Sequence, residues 1–293
     1  MNKVLSSKRN ILLFVAPTFL LYSVFVLAPI IYNFYLSLFR TDLMSPPQFI
    51  GIDNYINLFK DKIFIKSLFN NIILVIGSVV AHLGLALFFA NVLFQKIKGS
   101  KIFQSVFFLP CVICGVAIGM MFTFIYNSEF GLINRLLDLL KMPQFKHSWL
   151  NEPSTAMVAV TAVVMWRFVG YHMVIQLAAM KSIPLELYEA AAIDGASQWQ
   201  RFSKITFPLI KHIFRIDIVL VVTGSLKYFD LVFAMTKGGP SHASEVLATY
   251  MFTQGFRTLK YGYASAIGMI MLVLCMLTIF IVNRLIRTEK LEF

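Results

Sequence analysis

Four stretches of this chain, residues 10–39, 67–95, 102–128 and 261–283, each run for more than 20 residues without an Asp, Glu, Lys or Arg. A fifth, 153–180, is interrupted only by Arg167. About 20 apolar residues in a helix cross the hydrocarbon core of a bilayer. Runs of this length point to an all-α membrane protein. A sixth, weaker stretch begins near Ile218 and meets Lys227 and Asp230 before Thr236. The expected spans are six transmembrane helices at about 11–39, 68–95, 102–127, 154–180, 214–236 and 261–283, in a single transmembrane domain over 1–293. The segment 181–213 is the loop between the fourth and fifth. Composition agrees: 14% of the residues are charged and the mean hydropathy is +0.76, where a soluble domain carries about 25% charged residues. A soluble enzyme and a disordered chain are both excluded.

A signal peptide has an apolar region of about 7–15 residues and a small-residue cleavage site. Here a basic start (Lys3, Lys8, Arg9) precedes a far longer apolar run, so the expectation is an uncleaved span with its N-terminus in the cytoplasm. Six spans then place both termini on that side. Lys and Arg are more numerous there, most clearly in the short Gln95–Lys101 turn, which has three Lys and no acid. The formal charge of +12 is read as membrane sidedness rather than nucleic-acid binding. Residues 131–140 have an apolar face opposite Arg135 and Asp138, the pattern of a helix lying along the interface.

The cysteines form no framework. Cys111 and Cys114 have C-x-x-C spacing, which places both thiols on one helix face, but no second pair or nearby His completes a zinc site. They and Cys275 are expected to be small packing residues. His82, alone in its apolar run, is expected at a helix interface, and His147, His212 and His242 in loops. No metal site, no cofactor in this chain and no catalytic residue is expected, for no Ser–His–Asp set or carboxylate pair stands out.

One long polar stretch does more than connect. From Lys181 to Pro208, Pro184 suits a helix first turn, Leu185 to Asp194 read as a helix with small residues around Leu187, Ala190, Ala191 and Ala192, and Gly195 fits a left-handed stop at positive φ. A second short helix is expected from about Ser197 to Ile205, closed by Pro208. Such an elbow can be approached closely by a partner's backbone, and its charges can set orientation.

The spacing Glu189-Ala190-Ala191, three residues, Gly195, nine residues, Ile205, one residue, Phe207-Pro208 resembles the EAA loop of ABC-importer permeases, with Phe207 where that pattern has Leu. The flanks, Ile183-Pro184 with Glu186-Leu187-Tyr188 and Ile193-Asp194-Gly195-Ala196, resemble the carbohydrate-uptake, maltose-type branch. Phe49–Tyr55, Phe107–Pro110, Gly238-Gly239-Pro240, Leu247–Tyr250 and Tyr261–Ala264 are similar to the family elsewhere, so the likeness covers nearly the whole chain.

The resemblance implies a type I ABC-importer permease fold in the bacterial cytoplasmic membrane, with both termini cytoplasmic. It implies a pathway for a carbohydrate, an oligosaccharide by preference, shared with a second EAA-bearing permease. Two ATPase subunits would hold ATP and Mg, and an external binding protein would deliver the sugar. Glu189, Ala190, Ala191, Asp194, Gly195, Ile205 and Pro208 would form the coupling element. This chain has no Walker A pattern and is not itself the ATPase. Counting from the family's landmarks marks Arg167, Phe168 and Tyr171 on the fourth span, and Val221, Gly224, Ser225 and Tyr228 on the fifth, as pathway residues. Rings and hydrogen-bonding groups there (Trp166, His172, Gln176 and Asp230 as well) suit sugars, and Arg167 or Lys227 could attract an acidic one. Two other readings compete: a secondary transporter or channel, which needs no ATPase-docking loop, and a membrane-embedded enzyme, which needs a constellation not found here.

Overall fold

The computed structural model describes residues 8–95 and 97–286. Lys3, Lys96, Arg287 and Lys290, which belong to the cations expected on the cytoplasmic side, lie outside the described residues. Five helices are long and apolar enough to cross a membrane: Phe14–Ser37, Lys62–Phe94, Ala156–Lys181, Gln198–Met235 and Tyr261–Leu285. A bent pair, Ser100–Val112 and Gly115–Ile125, makes a sixth when taken as one span. The chain packs as two compact units, one of residues up to Asp61 with Met251–Ile270, the other of Lys62–Tyr250 with Met271 onward.

In the first unit, the first span leads into a two-stranded antiparallel ribbon, Phe39–Arg40 with Gln48–Phe49. Asn54 fixes that exit: its Nδ2 donates to Ser37 O (2.7 Å) and Phe39 O (3.0 Å). Tyr55 Oη meets Ser37 Oγ at 2.7 Å. The start of the sixth span is tied to the same corner by Tyr261 N donating to Thr41 O (3.1 Å) and Tyr263 Oη to Asp61 Oδ2 (2.7 Å). The family-like segments 49–55 and 261–264 thus meet in one corner.

The second unit is centred on the fourth span. Its small residues Ala156, Ala159 and Ala179 are buried, as are Ala86 and Ala90 on the second span. In lipid, which is as apolar as Leu, close van der Waals packing and buried hydrogen bonds do what hydrophobic burial does in water. Asn70 and Asn71 on the second span do that polar work. Asn70 Nδ2 donates to Ala243 O and Glu245 O, holding the segment after Gly238-Gly239-Pro240. Asn71 Nδ2 donates to Ser225 O and Leu226 O, and its Oδ1 accepts from Leu247 N. It caps the point where the fifth span breaks, after Leu226.

Four expectations change. The third span is not continuous over 102–127: it bends by 97° at Ile113 and Cys114, whose backbones are extended (ψ 140° and 130°). Cys114 therefore lies beyond the helix that carries Cys111, and the two thiols do not share one helix face. Pro208 closes nothing. The helix of the fifth span begins at Gln198 and runs through a widened π turn, Phe202–Thr206, placed just before the proline, which has no N–H to give the preceding turn. A π turn, Ser23–Leu27, likewise precedes Pro29 in the first span. His212, expected in a loop, consequently sits inside the fifth-span helix.

Candidate functional site

Residues 164, 168, 171 and 172 recur at helical spacing along one stripe of the fourth span, and 220, 221, 224, 225 and 228 along one stripe of the fifth. The two stripes face a cavity of about 250 Å³, completed by His82 from the second span. Six of the seven pathway positions marked from the resemblance line it: Phe168, Tyr171, Val221, Gly224, Ser225 and Tyr228. A β-carbon on Gly224 would meet nothing within 4 Å, so that glycine opens onto free space. Phe168 and Tyr228 meet edge to face, with centroids 6.0 Å apart.

Arg167, the seventh, does not line this cavity. One residue along the helix turns its side chain by about 100°, toward the broken third span. There Nη1 donates to Asp230 Oδ2 (2.8 Å) and Tyr228 Oη (3.2 Å), and Nη2 donates to Ile113 O (3.1 Å). Lys227 is exposed and does not line it either.

Two further residues belong to the wall or its backing: His82, expected from the sequence at a helix interface and not marked for the pathway, and Asp217, which the sequence did not single out. His82 is buried and stacks on His172, centroids 4.9 Å apart. Its isolation in a long apolar run was the available signal. Asp217 is fully buried, with Oδ1 2.6 Å from His172 Nδ1 and Oδ2 accepting from Gln176 Nε2 at 2.8 Å. It stands inside the expected span 214–236, ahead of the apolar run that begins near Ile218.

The polar stretch 181–208 forms the elbow. Leu185–Ile193 is helical, and Gly195 has φ +74°. Ala196 N donates to Ala191 O and Gly195 N to Ala192 O, the paired bonds of a Schellman stop. Ser197 then starts the next helix with a capping box: its Oγ accepts from Gln200 N, and Gln200 Oε1 accepts from Ser197 N (2.7 Å). Glu189, Ala190, Asp194 and Gly195 are exposed and Ala191 half-buried, and Ile193 and Trp199 are 87% and 72% exposed. Ile205 lies in the π turn and Pro208 in the turn after it. Tyr188 pins the elbow inward, its Oη 2.9 Å from Thr206 Oγ1 and its ring 5.4 Å from Phe94. Burial pushes its phenol up from the usual value, against the bond to Thr206. A larger cavity, about 790 Å³, lies between the elbow and the end of the second span. No cluster of three potential metal ligands occurs among the described residues.

Residues 82–290 match the family described as binding-protein-dependent transport system inner membrane component. A probable ABC transporter permease of Bacillus subtilis (strain 168), YurN, is 39% identical over 283 residues, covering 96% of this chain and 97% of that protein. The lactose transport system permease LacF of Rhizobium radiobacter is 32% identical over 266 residues, 89% of each chain. Among solved structures, a chain of a bacterial alginate ABC transporter in complex with its alginate pentasaccharide-bound periplasmic protein superposes with a TM-score of 0.83 at 23% identity, over 97% of this chain and 98% of that one. This likeness bears on the fold alone. The match over most of the chain and the identity to full-length relatives place this protein in the family of binding-protein-dependent inner-membrane permeases of ABC importers, as a transport subunit that is not itself an enzyme.

Proposed function

We propose that this chain translocates a carbohydrate, an oligosaccharide by preference, through a pathway it forms with a second EAA-bearing permease. The reading rests on one observation: six positions marked from the family likeness line a single cavity, with a chemistry suited to sugars. Aromatic rings cover the apolar faces of a pyranose, and hydroxyl, imidazole and phenol groups meet its hydroxyls. The lactose transporter among its relatives is in keeping with that class. In this reading the exposed elbow at Glu189–Gly195 docks on ATPase subunits that hold ATP and Mg, a binding protein delivers the sugar from outside, and both termini are cytoplasmic.

The test is ATP-driven uptake by the assembled importer in proteoliposomes. Tyr171→Ala with Tyr228→Ala removes two rings and two hydroxyls, about 1 kcal/mol or more for each tyrosine, and roughly 2 kcal/mol corresponds to more than tenfold. Uptake is expected to fall at least tenfold while membrane insertion and ATPase association persist. Unchanged uptake would move the pathway off this cavity.

A further inference from the structure

The wall of the 250 Å³ cavity is mostly apolar surface set with a few polar groups. Among the described residues that line it are two histidines, two tyrosines and a serine, but no lysine, arginine, aspartate or glutamate. Charged groups stand directly behind the wall, and each is already answered. Arg167 touches the wall from outside, through the Tyr228 hydroxyl and the Phe168 ring (5.0 Å to the centroid), with Asp230 at 2.8 Å. Asp217 sits behind His172 at 2.6 Å and also accepts from Gln176. Arg167, the cation behind this wall, has the Asp230 carboxylate within hydrogen-bond reach and is not free to neutralise an anion brought in from water, and Lys227 is exposed and does not line the cavity.

His172 adds direction to this. A carboxylate accepts, so His172 Nδ1 is the donor in this pair. Nε2 is then the free edge of a ring that lines the cavity, and it has no partner among the described residues. In the neutral ring it is an acceptor. A sugar hydroxyl can donate to it, whereas a carboxylate has no proton to give and would bring its charge toward Asp217 with no cation to meet it.

We infer that this cavity takes an uncharged sugar and refuses an anionic one, with His172 as a specificity-determining hydrogen-bond acceptor and Asp217, supported by Gln176, as its positioning residue. This rests on the reading of the cavity as the pathway.

The experiment uses the complete importer in proteoliposomes, with its binding protein and radiolabelled probes: maltose, lactose and cellobiose as neutral disaccharides, digalacturonate as the anionic one. At least one neutral probe is expected to enter at least tenfold faster than digalacturonate. Uptake of digalacturonate as fast as that of the neutral probes would overturn the inference while leaving the pathway in place. His172→Phe keeps a ring to stack on His82 but removes both nitrogens. It is expected to lower neutral-probe uptake about tenfold, and His172→Gln, which restores an acceptor, is expected to recover most of it. Failure of glutamine to do better than phenylalanine would reduce His172 to packing and remove it from the proposal. Gly224→Phe fills the cavity from a position with room for a side chain, and is expected to stop uptake of every probe. Undiminished uptake in that variant would overturn the pathway reading itself, and this inference with it.

Discussion

Arg167 on the fourth span and Asp230 where the fifth span restarts lie 2.8 Å apart, at the bend of the broken third span. The Arg167 side chain is 10% exposed and that of Asp230 41%. The bend is what makes room for them: it frees Ile113 O to accept from Arg167, and a β-carbon on Gly115 would collide with the Asp230 carboxylate. Ionisable groups inside a membrane protein are tolerated when paired and turned away from lipid. Here one pair joins three spans.

Removing one partner of this pair leaves a largely buried guanidinium without its counter-charge. Asp230→Ala is expected to cost about 1–3 kcal/mol, the partial exposure of the carboxylate holding it below the range for fully buried pairs. Adding Arg167→Met to Asp230→Ala is expected to recover much of the loss, with a coupling of at least ~1 kcal/mol in a double-mutant cycle of unfolding in detergent. Strict additivity would show that the two side chains act independently.

Asn71 satisfies three backbone groups with one side chain, two carbonyls at the end of the helix Phe207–Leu226 and one amide at the start of Leu247–Phe252. Asn71→Leu takes that partner from Leu226 O and Leu247 N in a fully buried place, at about 1 kcal/mol or more each, while Ser225 O keeps the Tyr228 amide (3.4 Å). A fall in thermal unfolding temperature is expected well beyond that of an exposed control such as Phe69→Leu on the same span.

The segment between the third and fourth spans carries a pH dependence. Glu152 accepts from Ser148 N (2.7 Å) and pairs with His147 Nδ1 (2.8 Å), and these bonds, the backbone one foremost, hold its carboxyl below the ordinary value of 4.5. A depressed carboxylate stabilises the fold fully above its unfolded pKa, and the contribution is lost as pH falls through the folded one. The fluorescence of Trp149, whose Nε1 donates to Asn134 Oδ1 in the same segment, is expected to stay constant above pH 4.5 and change below it in a variant retaining only that tryptophan. Glu152→Gln is expected to abolish the change. A transition at the same pH in that variant would assign it to another group.

Much of the elbow was legible in the sequence because it depends on fixed spacing, and the cavity positions were marked only by counting from landmarks of the family the chain resembles, with helical spacing then placing them on shared faces. A positive-φ stop needs a glycine at one position, and residues three, four, seven and eight apart on a helix share a face. What was not legible are the places where a polar group finds its partner across the fold. Runs of apolar residues do not tell that a span bends at Ile113, where the freed carbonyl finds its donor, Arg167, on another helix. Arg167 read as a pathway cation because its counter-charge lies 63 residues away. Asp217 drew no notice in the sequence because its partners, His172 and Gln176, lie on another span. Pro208 looked like a terminus because the π turn that accommodates it has no sequence period of its own.

The central claim is that this permease is driven through its elbow, and the most direct test reads transport and ATPase attachment together. Gly195→Val puts a β-branched residue at φ +74°, a strain of about 1–2 kcal/mol, with no atom within 4 Å of the new β-carbon to clash. Glu189→Lys reverses a charge that is exposed in this chain alone. Neither is expected to disturb expression or the membrane spans. Both are expected to abolish ATP-driven sugar uptake in proteoliposomes and to weaken co-purification of the ATPase subunits, while Gln198→Ala, outside the fixed positions of the motif, transports nearly as wild type. Normal ATP-driven uptake in both motif variants would contradict the account, because the elbow would then be only a connector.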